Sequence, residues 1–231
     1  MSRRALNIKT VADMQEDSAY EAAMSYLADC DINGLVAVGG AVTPTSLLRA
    51  YRKGIFPWSS DPMVTWWSPD PRSVFDMERY RPSRSLRKSI RRASWTFTRD
   101  RDFEGVMRAC AASTASRPTT WITNDFISAY TALSRRGAAH SVEVYEEDEL
   151  VGGLYGVSIG GFFGGESMFN RRPDASKAAV ASLIQHLRER GFVLLDAQVP
   201  TPHLASLGAV EISREEYLAR LAHAISLPVT F

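Results

Sequence analysis

The chain has 231 residues, 45% of them hydrophobic and 23% charged, with a formal net charge of +1. That composition suits a globular protein of one large domain, or of a main domain with a smaller one attached. It holds no apolar run of about 18 residues, so no membrane span is expected; acids at Asp13, Glu16 and Asp17 follow the basic start too soon for a secretory signal.

Residues 12 to 29 mix Ala, Met, Leu, Glu and Asp and predict a helix. Gly34 to Gly40 is a short apolar run closed by glycines. Thr43 supplies a cap for a helix reaching Tyr51, which Gly54 ends. Residues 55 to 72 carry Trp58, Trp66, Trp67 and four prolines. They read as a stiff aromatic loop, a seam between a small first domain, 1–72, and a larger second one, 73–231. Ser73 to Met77 predicts a strand, Ser83 to Arg92 a helix, Trp95 to Thr98 a strand, and Asp102 to Ala112 and Asn124 to Arg135 two more helices.

From His140 the pattern turns strand-rich. His140 to Tyr145 alternates with period two, as a strand with one buried face does. Glu146 to Glu149 predicts a polar turn, Leu150 to Ile159 its partner strand, and Phe162 to Glu166 a third. Glycine recurs through Gly152, Gly153, Gly156, Gly160, Gly161, Gly164 and Gly165. Glycine in a strand marks a bulge or a close approach by backbone or ligand, so the single acid that follows, Glu166, reads as a polar anchor at a substrate-binding strand edge. Asp174 is placed to cap a helix with the stripe Val180, Leu183, Ile184 and Leu187, stopping at Gly191. Phe192 to Val199 is a buried strand; a helical turn near His203 to Leu207, the strand Val210 to Ile212 and a final helix from Arg214 complete the order. Three antiparallel strands, a helix and a further strand is the order of GCN5-related acetyltransferases, an α+β fold.

Three groups of residues could carry chemistry. Between Arg81 and Arg92 six cations occur without an acid. Arg84, Arg87, Lys88, Arg91 and Arg92 share one helical face, a spacing that can follow a phosphate backbone; a solvated charged face is the plainer reading. Asp196 and Gln198, two apart on an apolar strand, project to one face, and a buried aspartate needs a partner. The aromatics Tyr51, Trp58, Trp66, Trp67, Trp121 and Tyr130 suit packing between domains, or stacking against a terminal base. Gly165-Glu-Ser-Met-Phe169 lacks the second glycine of a hydrolase elbow, and the glycines fail phosphate-loop spacing. Cys30, Cys110 and four histidines match no metal or redox spacing, so reduced cytoplasmic thiols and no metal are expected.

Several segments appear in order: Tyr51-Arg-Lys-Gly-Ile-Phe-Pro-Trp58, Trp66-Trp-Ser-Pro-Asp-Pro-Arg72, Thr120-Trp-Ile-Thr123, His140-Ser-Val-Glu-Val144, Gly152-Gly-Leu-Tyr-Gly156, Gly165-Glu-Ser-Met-Phe169, Ala175-Ser-Lys177, Asp196-Ala-Gln198 and Ala205-Ser-Leu-Gly-Ala209. Together they resemble the bacterial leucyl/phenylalanyl-tRNA–protein transferase family. The resemblance implies a small N-terminal domain and an acetyltransferase-like catalytic domain. It implies transfer of leucine or phenylalanine from aminoacyl-tRNA to proteins beginning with arginine or lysine, marking them for degradation, without a cofactor. It places Gln198 against the attacking amine, Asp196 behind Gln198 as its polariser, and Glu166 on the acceptor's cation. Trp58, Trp121 and Tyr130 would contact the terminal adenosine, and Tyr51 would also bind substrate. Leu154 and Phe163 would line the side-chain pocket, with methionine also accepted, and the helix of Arg84, Arg87, Lys88, Arg91 and Arg92 would hold tRNA phosphates. The rival readings are an acyl-CoA-dependent N-acetyltransferase and a non-catalytic RNA-binding protein.

Overall fold

A computed structural model describes residues 34–60, 63–113 and 119–231. The helix expected over residues 12 to 29, and Cys30, lie outside those residues. The described residues begin with a three-stranded antiparallel sheet of β1 (Leu35–Val38), β2 (Phe56–Ser60) and β3 (Met63–Trp67), in the order β1-β3-β2. Helix α1 (Pro44–Tyr51) interrupts it, capped by Thr43, whose hydroxyl accepts from the Ser46 amide in a reciprocal box.

The expectation of an aromatic loop over 55 to 72 is corrected here: most of it is the β2–β3 hairpin. Pro57 is tolerated because β2 is an edge strand, where a missing amide breaks no inner ladder. The tryptophans divide between the hairpin's two faces, Trp58 and Trp67 on one and Trp66 on the other. Trp66 is almost wholly buried and donates from Nε1 to the Gly39 carbonyl at 3.0 Å.

The larger unit is a seven-stranded sheet. It comprises β4 (Arg72–Phe75), β5 (Trp95–Arg99), β6 (Ala139–Glu146), β7 (Glu149–Ile159), β8 (Phe162–Asn170), β9 (Leu194–Gln198) and β10 (Ala209–Ile212), ordered β10-β4-β9-β8-β7-β6-β5. Every pairing is antiparallel except β8 with β9. Helices α2 (Arg84–Arg92), α3 (Phe103–Ala111), α4 (Asn124–Ser134), α5 (Ala175–Arg190), α6 (Pro202–Ser206) and α7 (Arg214–Ser226) are the other helices among the described residues. The fold is α+β, and β6–β7–β8, α5 and then β9 reproduce the acetyltransferase-like order expected from the sequence.

Two apolar clusters sandwich the sheet. One joins α1, α3, α4 and α7 to the tryptophan sheet; the other packs α5 against the opposite face. For that reason β6 is buried on both faces, not one, and Glu143 on it is fully buried. Its carboxylate accepts from Ser141 Oγ at 2.5 Å and Thr98 Oγ1 at 2.7 Å. The strand glycines serve close packing more than ligand approach. A Cβ on Gly152 would stand 2.6 Å from that of Ala175, at the start of α5, and one on Gly156 2.4 Å from the Phe163 ring. Asp174 also departs from expectation: it holds a left-handed N-cap with no side-chain cap bond, and its carboxylate instead accepts from Lys177 Nζ at 3.0 Å.

Candidate active site

Strand β8 follows β9 only from Phe162 to Gly164, opposite Leu194 to Asp196, and then diverges from it. The opening is a cavity of about 270 Å³. Its apolar wall includes Phe75, Leu154, Met168, Val180, Leu183 and Leu195, and its polar side carries Glu166, Gln198, Thr201 and His203. A largely apolar pocket with a few convergent polar groups is the usual form of a small-molecule site.

Asp196 lies in the middle of β9 with its side chain wholly buried. Arg72 meets it with both prongs, Nε to Oδ1 at 2.9 Å and Nη2 to Oδ2 at 2.6 Å. Tyr217 on α7 donates its hydroxyl to Oδ2 at 3.0 Å, and the Gln198 amide donates to Oδ1 at 2.8 Å. Burial alone would lower the Arg72 pKa, but the adjacent carboxylate outweighs that and holds it above its ordinary value. The four acceptor positions of a carboxylate are therefore filled. No hydrogen bond joins Asp196 to the Gln198 side chain, the coupling expected from the sequence: Asp196 accepts from the Gln198 backbone amide, and the side-chain amide donates to Glu166.

Glu166 is the group that meets the Gln198 side chain. Its Oε1 accepts from Gln198 Nε2 at 2.7 Å, and its Oε2 accepts from the Tyr130 hydroxyl at 3.1 Å. Tyr51 and Tyr130 share a further hydroxyl–hydroxyl bond behind it. With Nε2 committed to a carboxylate, the Gln198 carbonyl oxygen is the free end of the amide. Burial pushes the Glu166 pKa up to about 7; the tyrosine and glutamine hydrogen bonds oppose that rise, and the Asp196 charge adds to it. Burial, with the Glu166 charge, pushes both tyrosine hydroxyls well above the phenol range, so they stay donors.

Trp58 is 40% exposed and stacks on Trp121 with centroids 5.2 Å apart. From Trp121 the contacts pass through Phe126 to Tyr130, so an aromatic ladder joins the surface to the Glu166 carboxylate.

The leucyl/phenylalanyl-tRNA protein transferase pattern matches residues 74–222, and the pattern of that family's N-terminal domain matches residues 40–70. The chain belongs to this family. The leucyl/phenylalanyl-tRNA–protein transferase of Shewanella piezotolerans is 53% identical over 84% of this chain and 82% of its own length. That of Pseudomonas fluorescens is 52% identical over 86% and 88%. Among solved structures, a GCN5-related N-acetyltransferase-like protein from Streptococcus suis covers 73% of this chain and 64% of that one, at 16% identity and a TM-score of 0.36. Membership makes the chain an aminoacyltransferase, with aminoacyl-tRNA as donor and a protein as acceptor.

Several residues expected to serve that transfer do come together: Glu166, Asp196, Gln198 and Leu154 border one cavity. Phe163 does not. It faces the α5 side of the sheet, fully buried, with its ring 5.5 Å from that of Phe231. Tyr51 and Tyr130 are also closed off, so neither is a stacking surface; their hydroxyls serve Glu166 instead. Arg84, Arg87, Lys88, Arg91 and Arg92 are all exposed on α2, and none forms an ion pair with a described residue. Leu86 roots that helix beside a groove shared with Lys177 and residues 205–208, and α6 separates the groove from the cavity. Arg72 and Tyr217 were missed by sequence reasoning. The need of a buried Asp196 for a partner was legible, but nothing local points to a cation 124 positions away.

No helix among the described residues is long and apolar enough to cross a membrane, and no group of three or more metal-ligating side chains converges among them.

Proposed function

We propose that this transferase moves leucine or phenylalanine, and methionine through the same pocket, onto the α-amine of cytoplasmic proteins beginning with arginine or lysine, marking them for degradation. One observation carries the reading: an apolar cavity sized for one bulky side chain, with the Glu166–Gln198 pair on its polar side. The ester of aminoacyl-tRNA is already activated, so positioning supplies most of the catalysis. An α-amine with a pKa of about 7.7–8.0 has a usable neutral fraction near pH 7.

In this scheme the side chain of the transferred residue fills the wall of Leu154, Val180 and Leu183. The amine donates to the Gln198 carbonyl oxygen and attacks the ester carbon. The new C–N bond forms as the C–O bond to the ribose breaks; one amine proton ends on the departing 3′-oxygen, passed through the ribose or directly. Glu166 as a carboxylate attracts the acceptor's cationic end. Trp58 and Trp121 offer a face to the terminal base, and α2 follows the phosphates. The division at residue 72 fits the change of sheet there, β3 ending at Trp67 and β4 starting at Arg72.

The acyl-CoA reading has less support. Asn170-Arg-Arg-Pro-Asp174, which leads into α5, lacks the Gly-x-Gly run with which acetyltransferases hold pyrophosphate. Incubation with labelled leucyl-tRNA and one acceptor protein, made with either arginine or serine first, tests the proposal. Label should enter the arginine form alone; equal labelling of both, or none, refutes it. Labelling from acetyl-CoA would favour the rival.

A further inference from the structure

Arg72 and Tyr217 take no part in the transfer scheme, yet they are among the most enclosed polar side chains described, 1% and 0% exposed. The Arg72 guanidinium uses Nη1 on the Gly54 carbonyl at 3.1 Å, lies 4.3 Å from the Tyr217 ring centroid, and grips Asp196 with its remaining prongs. A buried ion pair is a poor way to gain stability, because desolvation consumes most of the attraction. Its use here lies in what it holds still.

What it holds is the backbone of Gln198. Residue 198 has φ +65°, a left-handed conformation rare for a residue with a side chain. It sits at a bulge: β4 advances one residue, Ser73 to Val74, while β9 runs two, Gln198 to Asp196. Bulges re-aim side chains, and strained backbone persists only where its surroundings enforce it. Oδ1 of Asp196 provides that enforcement by accepting the Gln198 amide hydrogen, and Oδ1 is itself fixed by Arg72 Nε.

We propose that Arg72 and Tyr217 are positioning residues for aminoacyl transfer, immobilising Asp196 so that it pins Gln198 in the left-handed bulge that carries its amide to Glu166 and the cavity. The inference rests on the reading of Gln198 as the group that meets the acceptor amine. It gives Asp196 an architectural task in place of a proton-handling one, since no lone pair is left to receive a proton while the clamp is closed.

The test is a double-mutant cycle on the single-turnover transfer rate, with aminoacyl-tRNA affinity measured in parallel. Tyr217→Phe removes one hydroxyl and keeps the ring over Arg72. It should slow transfer about tenfold, the size of one lost charge-assisted hydrogen bond, with affinity unchanged within about twofold. In a Gln198→Ala background the same change should cost nothing more, because a positioning residue acts through the group it positions. Equal loss in both backgrounds, or no loss in either, overturns the proposal. Arg72→Lys, which keeps the cation but not the fork, is the second variant and should show the same non-additivity. If Gln198→Ala itself transfers at the wild-type rate, the reading of the site fails, an outcome distinct from failure of the clamp alone.

Discussion

Glu166→Gln separates the parts of the proposed chemistry most sharply, because burial has brought the Glu166 pKa to about 7, beside that of the acceptor amine. If transfer needs both the carboxylate and the neutral amine, two deprotonations control the rate below pH 7 and one controls it between 7 and 8. Moving from pH 8 to pH 6 then costs about tenfold from the carboxyl and about 40-fold from an amine of pKa near 7.8, or about 400-fold together. In Glu166→Gln only the amine contribution should remain, about 40-fold over the same interval. The assay is single-turnover transfer at subsaturating acceptor, with buffers spanning pH 6 to 8. The apparent Michaelis constant for the acceptor should also rise more than that for tRNA. Parallel pH profiles for wild type and variant would refute the assignment.

The same shift makes a stability prediction of opposite sense to the common carboxylate case. Glu166 binds its proton more tightly folded than unfolded, so its contribution is greatest below pH 4.5 and is lost as pH rises through 7. Glu166→Gln should thus gain on wild type between pH 5 and pH 8, by up to about 3 kcal/mol, measured as the difference in urea midpoints. Reversing Arg87 and Arg91 to Glu should weaken tRNA binding and flatten its logarithmic salt dependence by about 2, readable by filter binding at several salt concentrations; an unchanged slope would remove α2 from the tRNA path. Trp58→Ala should cost about 1–3 kcal/mol of aminoacyl-tRNA affinity through lost stacking, seen in a fluorescence titration. Val180→Phe should shrink the cavity and lower phenylalanyl transfer about tenfold more than leucyl transfer in a competition assay.

The sequence by itself determined the local elements and the family. Thr43 before an apolar helix, Gly191 after one and the alternation from His140 each act within a few residues, so helices and strands were legible where caps and periods were intact. The hairpin over 56–67 was not, because its prolines and tryptophans mimic a loop until an edge position makes Pro57 harmless. Glu166 and Gln198 stood out as polar residues in apolar strands. Their contact depended on how β8 and β9 part, which local sequence does not encode. Only the tertiary structure decided that Asp196 belongs to Arg72 and Tyr217, that Tyr51 and Tyr130 serve Glu166 through their hydroxyls, and that Phe163 packs on Phe231 instead of lining the cavity. Burial is a property of the packed whole: a carboxylate's proton affinity and partners follow from which distant surfaces close over it, and those surfaces meet only when both sheets and α7 are in place.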